Sequence, residues 1–309
     1  MGLVYLENSE AIDEALSRLI AWLEAGTNAA SGVETFYNTP TERDLIDAVA
    51  TTIFNAWLRA YARAVFSDEG FAGAFELDPR GMPIRLLIRM VEGRGAGNPS
   101  GLASYDPTRQ ESVYFDELGT EVVETGDELI VAALATALDG LAARSSVAGV
   151  GGFGTTDQDA WLWGLRHQVE FPSLLEEYGG ASIGALLGGD FSISPADLPL
   201  AEGLVAGDPR FGLRGFPRPG DIYAVDAGNP ALFGTDYRYS EGPVMRMIIG
   251  FVDGAVVGQN VIPGGQSGDP GSPHFVDQTG DWLGNTAIPL RFSVADVIAG
   301  AVTREVYSP

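Results

Sequence analysis

The feature that most constrains this chain is a change of hydrophobic period at a glycine cluster, Gly149-Val150-Gly151-Gly152-Phe153-Gly154. Upstream of it, apolar residues recur every three or four positions, as on a helix with one buried face. Downstream they fall into short runs bounded by turn residues, as in strands. A chain that runs helices first and strands afterwards points to α+β, because an alternating βα design would need a helix between successive strands. At 309 residues the chain is long enough for substantial cores. The expected organisation is a helical part over residues 1–148 and a strand-rich part over 149–309, forming one structural unit.

Ser9 is placed to cap a helix running to Leu23, with Ile12, Leu16, Leu19, Ile20 and Leu23 on its buried face. Thr39-Pro40-Thr41-Glu42 starts a second helix, a capping-box pair bracketing proline at the first helical position. Its stripe is Leu45, Ile46, Val49, Ile53, Trp57, Tyr61 and Val65, and it ends near Gly70. Residues 83–92 read as a short helix and 111–115 as extended. Thr125-Gly126-Asp127-Glu128 opens a helix to about Arg144. Beyond the glycines, 221–226 and 244–252 read as strands, and Asp253-Gly254 turns the second of these back into 255–262. A short helix over 276–283, a strand over 288–292, a last helix capped by Ser293 and a closing strand over 304–307 complete the pattern.

Charge and composition narrow the partners. With 42 acidic against 18 basic residues and a net charge of -24, the chain repels a phosphate backbone, so nucleic acid is not expected. No apolar run is long enough to span a membrane, and the first 25 residues lack the basic segment and apolar core of an export signal. The absence of cysteine excludes disulfides, thiolate metal sites and a Cys nucleophile.

Several motifs have bland readings that fit better than their chemical ones. The glycine cluster matches G-x-G-x-x-G, but a dinucleotide loop needs a strand before it, and here a helix precedes it. It reads as a connector. Gly265-Gln266-Ser267-Gly268-Asp269 approaches a nucleophile elbow, yet ends in Asp and follows a hairpin strand. His167 and His274 are the only histidines and neither has metal-ligand spacing, so no metal or cofactor is expected of this chain. Each reads as a partly buried ring bonded to a carbonyl or carboxylate. Asp157-Gln158-Asp159 lacks the alternating ligands of a calcium loop. Arg246 lies within an apolar run and needs a partner if buried, the expected one being an acid. Phe54, Trp57, Tyr61 and Phe66 have the spacing of core residues rather than of an acyl pocket.

The last quarter carries a resemblance. Gly242-Pro243-Val244-Met245-Arg246 is followed by Pro263-Gly264-Gly265-Gln266-Ser267-Gly268-Asp269-Pro270, by Ser272-Pro273-His274, and by Asp277-Gln278 with Trp282. This resembles the C-terminal part of the β chain of the penicillin acylases (penicillin amidases), whose G-P-x-x-R strand precedes P-G-G-Q-S-G-N-P, S-P-H and D-Q-x-x-x-W elements. Asp269 departs from the pattern, standing where the family usually has Asn. Residues 161–167, Trp-Leu-Trp-Gly-Leu-Arg-His, are similar to the family's W-x-W-G-x-x-H element. The match is good over 161–309 and loose over the helical half.

The resemblance implies an αββα N-terminal-nucleophile hydrolase that cleaves amide bonds of small N-acyl compounds. Its nucleophilic Ser and principal oxyanion residues lie upstream of the matched portion, so no catalytic residue carries onto a numbered position here. Trp163, His167, Arg246, Gly265, Gln266, Ser267, His274, Asp277 and Gln278 are expected to be scaffold residues. The expected partner is the upstream remainder of the same precursor, its α chain and the N-terminal part of its β chain, without which this chain is inactive. A periplasmic or secreted location is implied as well. The alternative, from a different class, is a stand-alone non-catalytic structural or binding module derived from that family.

Overall fold

The computed structural model describes residues 9–33, 40–68, 82–92, 105–106, 108–109, 111–145, 150–171, 193, 213, 215–222, 236–239, 245–267, 269, 271–284 and 286–300. The chain divides into two compact units, Met1–Glu170 with Leu204–Gly242, and Phe171–Gly203 with Pro243–Pro309. Helices and antiparallel strands are mixed, as α+β requires.

In the first unit, helix α1 (Ser9–Glu24), α2 (Glu42–Phe66), α3 (Met82–Glu92) and α4 (Gly126–Ala142) build the core. Helix α2 runs through its middle, packing along α4 and α1. It is buried on more than one side: Val49, Ile53, Val65 and Phe66 are covered, and so are Asp47, Asn55 and Arg59. Burying apolar side chains such as Ile53 and Phe66 contributes about 1.5–3 kcal/mol each. Trp57 stacks on Tyr61 with centroids 5.5 Å apart, so the aromatic spacing on α2 is core packing.

Three expectations about these helices change. Leu45 and Ile46, expected on the buried stripe of α2, are exposed. The buried side of α1 runs through Ala15 and Trp22, while Leu16, Ile20 and Leu23 are exposed. Ala15 lets α2 approach closely, and the Trp22 indole both packs on Phe54 at 5.5 Å and donates to the Asn28 carbonyl at 2.7 Å. Periodicity places the helix and two residues of its packed face, Ile12 and Leu19, which lie against the core as expected, but misses Ala15 and Trp22 between and beside them. The cap of α2 falls at Thr41, whose hydroxyl accepts from Asp44 N–H at 3.2 Å while the Asp44 carboxylate accepts from Thr41 N–H at 2.8 Å. Pro40 therefore precedes the helix. Helix α4 has the expected box between Thr125 and Glu128.

Strands β1 (Tyr105–Asp106) and β2 (Glu111–Ser112) pair antiparallel, and the chain turns immediately after Ser112 instead of remaining extended. Strands β3 (Gln168–Val169) and β4 (Phe216–Pro217) form a second short pair.

The second unit holds β5 (Arg246–Val252), β6 (Ala255–Val261) and β7 (Ile288–Pro289) in one antiparallel sheet, with helix α5 (Thr279–Leu283) and α6 (Val294–Gly300). Asp253 and Gly254 have φ of 50° and 81°, so both central residues of the two-residue turn adopt the left-handed region that a type I′ hairpin needs. Register then runs unbroken from Val252↔Ala255 to Arg246↔Val261. Met247, Ile249 and Phe251 fall on one face of β5 and Arg246, Ile248 and Gly250 on the other. Ser293 accepts from Asp296 N–H at 3.0 Å, capping α6 as its position suggests. Asp221 lies outside any strand and Ile222 sits in a turn, while 223–226 of the expected strand, like the strand expected at 304–307, lie outside the described residues.

Candidate functional site

The glycine cluster finishes helix α4. Phe153 N–H donates to Leu141 O at 2.6 Å and Gly154 N–H to Ala143 O at 3.0 Å, so the chain folds back to satisfy carbonyls that a helix end leaves open. A side chain at Gly152 would run into the carbonyls of Gly140 and Ala143. Arg166 then grips the turn, donating from Nε to Gly151 O at 2.8 Å and from Nη2 to Gly152 O at 3.0 Å. With these carbonyls engaged and a helix in front, the segment is a structural connector rather than a phosphate loop.

The W-x-W-G-x-x-H element begins seven residues later and joins distant parts of the first unit. Trp161 and Trp163 are fully buried. Thr52 on α2 donates to Trp161 O at 2.7 Å, and Trp163 Nε1 donates to Gly220 O at 2.6 Å. Gly164 N–H reaches Ser31 O at 2.7 Å, an approach that leaves no room for a side chain between Val33, Ser31 and Pro217. His167 stacks on Trp163 at 4.7 Å and places Nδ1 2.9 Å from Tyr237 O. Because a carbonyl can only accept, Nδ1 carries the proton in this arrangement. The ring is thus a carbonyl-bonded core histidine, as its sequence context suggested.

A second cluster gathers most of the motif residues of the other unit. Gly265 lies against the S-P-H segment so closely that a Cβ would meet His274 O and come within 2.6 Å of Asp277 Oδ1. Ser267 N–H donates to His274 O at 3.1 Å, while Ser267 Oγ accepts from Asp269 N–H at 3.1 Å. Asp269, at the position that departs from the Asn pattern, accepts from Gly271 N–H at 2.9 Å through its Oδ1. An Asn carbonyl oxygen would accept the same bond, so this contact tolerates either residue. Buried Gln278 accepts from Ile262 N–H at 3.3 Å and donates its own N–H to Gly264 O at 3.0 Å. Gln266 points to solvent.

His274 is more open than its sequence reading implied. Its side chain is 70% exposed, with Nδ1 2.8 Å from Asp277 Oδ2. A carboxylate partner was expected; burial is not needed to hold it, because the tight backbone turn 272–275 fixes the ring beside Asp277. The Asp277–His274 contact resembles two members of a serine triad, but the described bond of Ser267 Oγ is to Asp269 N–H, not to the imidazole.

Arg246 meets Trp282 twice. Its Nη2 donates to the Trp282 carbonyl and its guanidinium lies 4.5 Å from the indole centroid. Among its described contacts a carbonyl and an aromatic face meet the charge. That carbonyl belongs to the last turn of α5, the end of a helix at which a cation is favoured. Phe171 packs edge-on against the same indole at 5.0 Å.

Sequence reasoning missed two further groups. Thr279, fully buried, donates to Pro263 O at 2.7 Å and fastens the loop to α5. Arg59 is buried on α2, and Arg238 binds Asp236 at 2.6 Å and Glu170 at 2.6 Å. Burial opposes the Asp236 charge, yet the bonds from Arg238 outweigh it and hold that carboxyl below the ordinary range. Asn55 and Arg59 at i and i+4 within an apolar helix were the available signal, since two polar residues on one side of a buried helix must be satisfied there. Among the described residues there is no group of three or more acidic or histidine side chains arranged to hold a metal.

The family model described as penicillin amidase matches residues 4–299. An acyl-homoserine lactone acylase, QuiP of Pseudomonas aeruginosa, is 26% identical over 244 residues, covering 78% of this chain and 24% of its own length. The chain thus spans about a quarter of the curated relative it matches.

Proposed function

The chain belongs to the penicillin amidase family, and on that premise we propose that it is part of an amidohydrolase that cleaves the amide bond of N-acyl compounds. The observation that carries this reading is the family match across nearly the whole chain. In the proposed mechanism the nucleophile is an N-terminal Ser upstream of these residues. Its own α-amine, which titrates near neutrality, takes the hydroxyl proton. Attack on the acyl carbon gives an oxyanion held by preorganised donors, and water then releases the acyl group from the acyl-enzyme.

This chain would supply strands and helices of an αββα sandwich. Trp163 and His167 would hold one part of that scaffold; Arg246, Gly265, Gln266, Ser267, His274, Asp277 and Gln278 would hold the other. The engagement of Ser267 within its loop supports a structural role for that serine. Among the described residues no helix is long and apolar enough to cross a membrane. The relative's name makes an acyl-homoserine lactone the first substrate to try.

The test is co-expression of this chain with an upstream portion bearing the N-terminal Ser, followed by assay of acyl release from an N-acyl-homoserine lactone and from penicillin G. Turnover by the assembled protein, retained in Ser267→Ala and absent from this chain alone, is the expected result. Turnover by the chain alone that Ser267→Ala abolishes would overturn both the mechanism and the scaffold role. An assembled protein that hydrolyses neither compound nor any other N-acyl amide would favour a non-catalytic module.

A further inference from the structure

This chain is poor in nitrogen nucleophiles. Its sequence has no lysine and no cysteine, its arginines stay protonated, and of its two histidines His167 is only 1% exposed. His274 is therefore the histidine open to solvent, and among side chains it is the available nitrogen base near neutral pH. Its position is fixed on both sides. His274 N–H donates to Ser272 Oγ at 3.2 Å, His274 O accepts from Ser267 N–H at 3.1 Å, and Nδ1 lies 2.8 Å from Asp277 Oδ2. A carboxylate only accepts, so in the neutral ring Nδ1 carries the proton and the lone pair lies on Nε2. Nε2 has no hydrogen-bond partner among the described residues, and 70% of the side chain is exposed. The described bonds of the neighbouring hydroxyls are to backbone N–H groups, Ser267 Oγ to that of Asp269 and Ser272 Oγ to that of His274, and neither is to the ring.

From this arrangement we infer that His274 is itself a nucleophile, through which the chain hydrolyses activated acyl esters such as aryl acetates. Nε2 adds to the acyl carbon, the bond from that carbon to the aryl oxygen breaks, and its electron pair leaves with the phenolate. The acylated ring is positively charged, and the bond from Nδ1–H to the Asp277 carboxylate stabilises that charge. Water then attacks the acyl carbon and the carbon–Nε2 bond breaks, its electron pair returning to the ring. A carboxylate is released and two protons pass to solvent. An imidazole open to solvent expels only a weakly basic leaving group, which separates this activity from the proposed amide hydrolysis.

The experiment is hydrolysis of p-nitrophenyl acetate by the purified chain, compared with N-acetylhistidine amide at equal concentration, together with ¹⁵N NMR of the labelled imidazoles. The native chain should turn over repeatedly and about two- to fivefold faster than the small molecule, the gain that an exposed ion pair supplies. His274→Gln should lose this rate. Asp277→Asn, whose amide oxygen can still accept from Nδ1, should fall to the rate of the small molecule, and it decides the matter if His274→Gln fails to fold. The ¹⁵N shifts should place the proton on Nδ1 in the native ring and show it moving to Nε2 in Asp277→Ala, a change that a merely structural aspartate would not produce. A folded His274→Gln or Asp277→Asn that keeps the native rate would overturn the inference. So would a native chain no faster than the small molecule, a burst without turnover, or a neutral native ring whose Nδ1 carries no proton.

Discussion

At Gly265 the space a side chain would need is already taken by His274 O and Asp277 Oδ1. Gly265→Ala should therefore destabilise the second unit by about 1–3 kcal/mol, the usual cost of forcing atoms into a packed site. Gly250→Ala is the control, since a methyl group added there would meet nothing within 4 Å and alanine removes backbone freedom from the unfolded chain. Urea midpoints of the two variants should move in opposite directions or, for Gly250→Ala, stay put; equal losses would mean that the loop yields. Arg246→Lys tests a different kind of contact. It keeps the charge but loses the planar group that both stacks on Trp282 and reaches its carbonyl, so a loss of about 1–2 kcal/mol is expected. The need of Arg246 for a partner was readable from its apolar neighbours. Trp282 as that partner was not, because its carbonyl is available only where α5 ends, a fact of tertiary geometry.

Among the helices, α4 offers the cleanest measurement. Thr125 and Glu128 satisfy one another's backbone N–H groups, and Thr125→Ala should cost about 1 kcal/mol. The bond that Glu128 accepts from Thr125 N–H, followed by that from its hydroxyl, holds the Glu128 carboxyl below its usual range. A folded-state pKa below the unfolded one means that this stabilisation is fully present above about pH 4.3 and is lost as pH falls through the folded value. Glu128→Gln should accordingly match the native chain more closely at about pH 3 than at about pH 7 in thermal unfolding; a difference that does not shrink on acidification would remove the carboxylate from the cap. Elements whose signal is local were legible in the sequence: this cap, the Asp253-Gly254 turn and Ser293 each need only neighbouring residues. The packed side of α1 was legible only in part: Ile12 and Leu19 lie against the core as expected, but Ala15 and Trp22 are the buried residues because of what α2 presents to them. The short β3–β4 pair joins residues nearly fifty positions apart, and no local pattern announces such a partner.

For the whole molecule, the sheet β5-β6-β7 poses the question of what covers it. Ile248 is 72% exposed and Phe251 79% exposed, on opposite faces of β5, and β5 has no second strand partner among the described residues. Apolar exposure on both faces is unusual, since an antiparallel sheet normally keeps at least one face against a core. An open groove of about 670 Å³ on this sheet, lined by Ile248, Val257 and Phe292, adds to the uncovered surface. If the proposed upstream portion supplies the missing cover, the chain purified alone should bind a hydrophobic dye and self-associate through β5, whose free edge can pair with another copy. The net charge of -24 opposes close approach but cannot satisfy edge hydrogen bonds, so added salt should promote the association by screening that repulsion. Ile248→Lys should reduce both dye binding and association, and co-expression with the upstream portion should raise the melting temperature, because a partner that binds only the folded form stabilises it. A monomer that binds no dye and melts in one sharp transition, unchanged by the upstream portion, would show instead that this surface is tolerated in water and that the chain stands on its own.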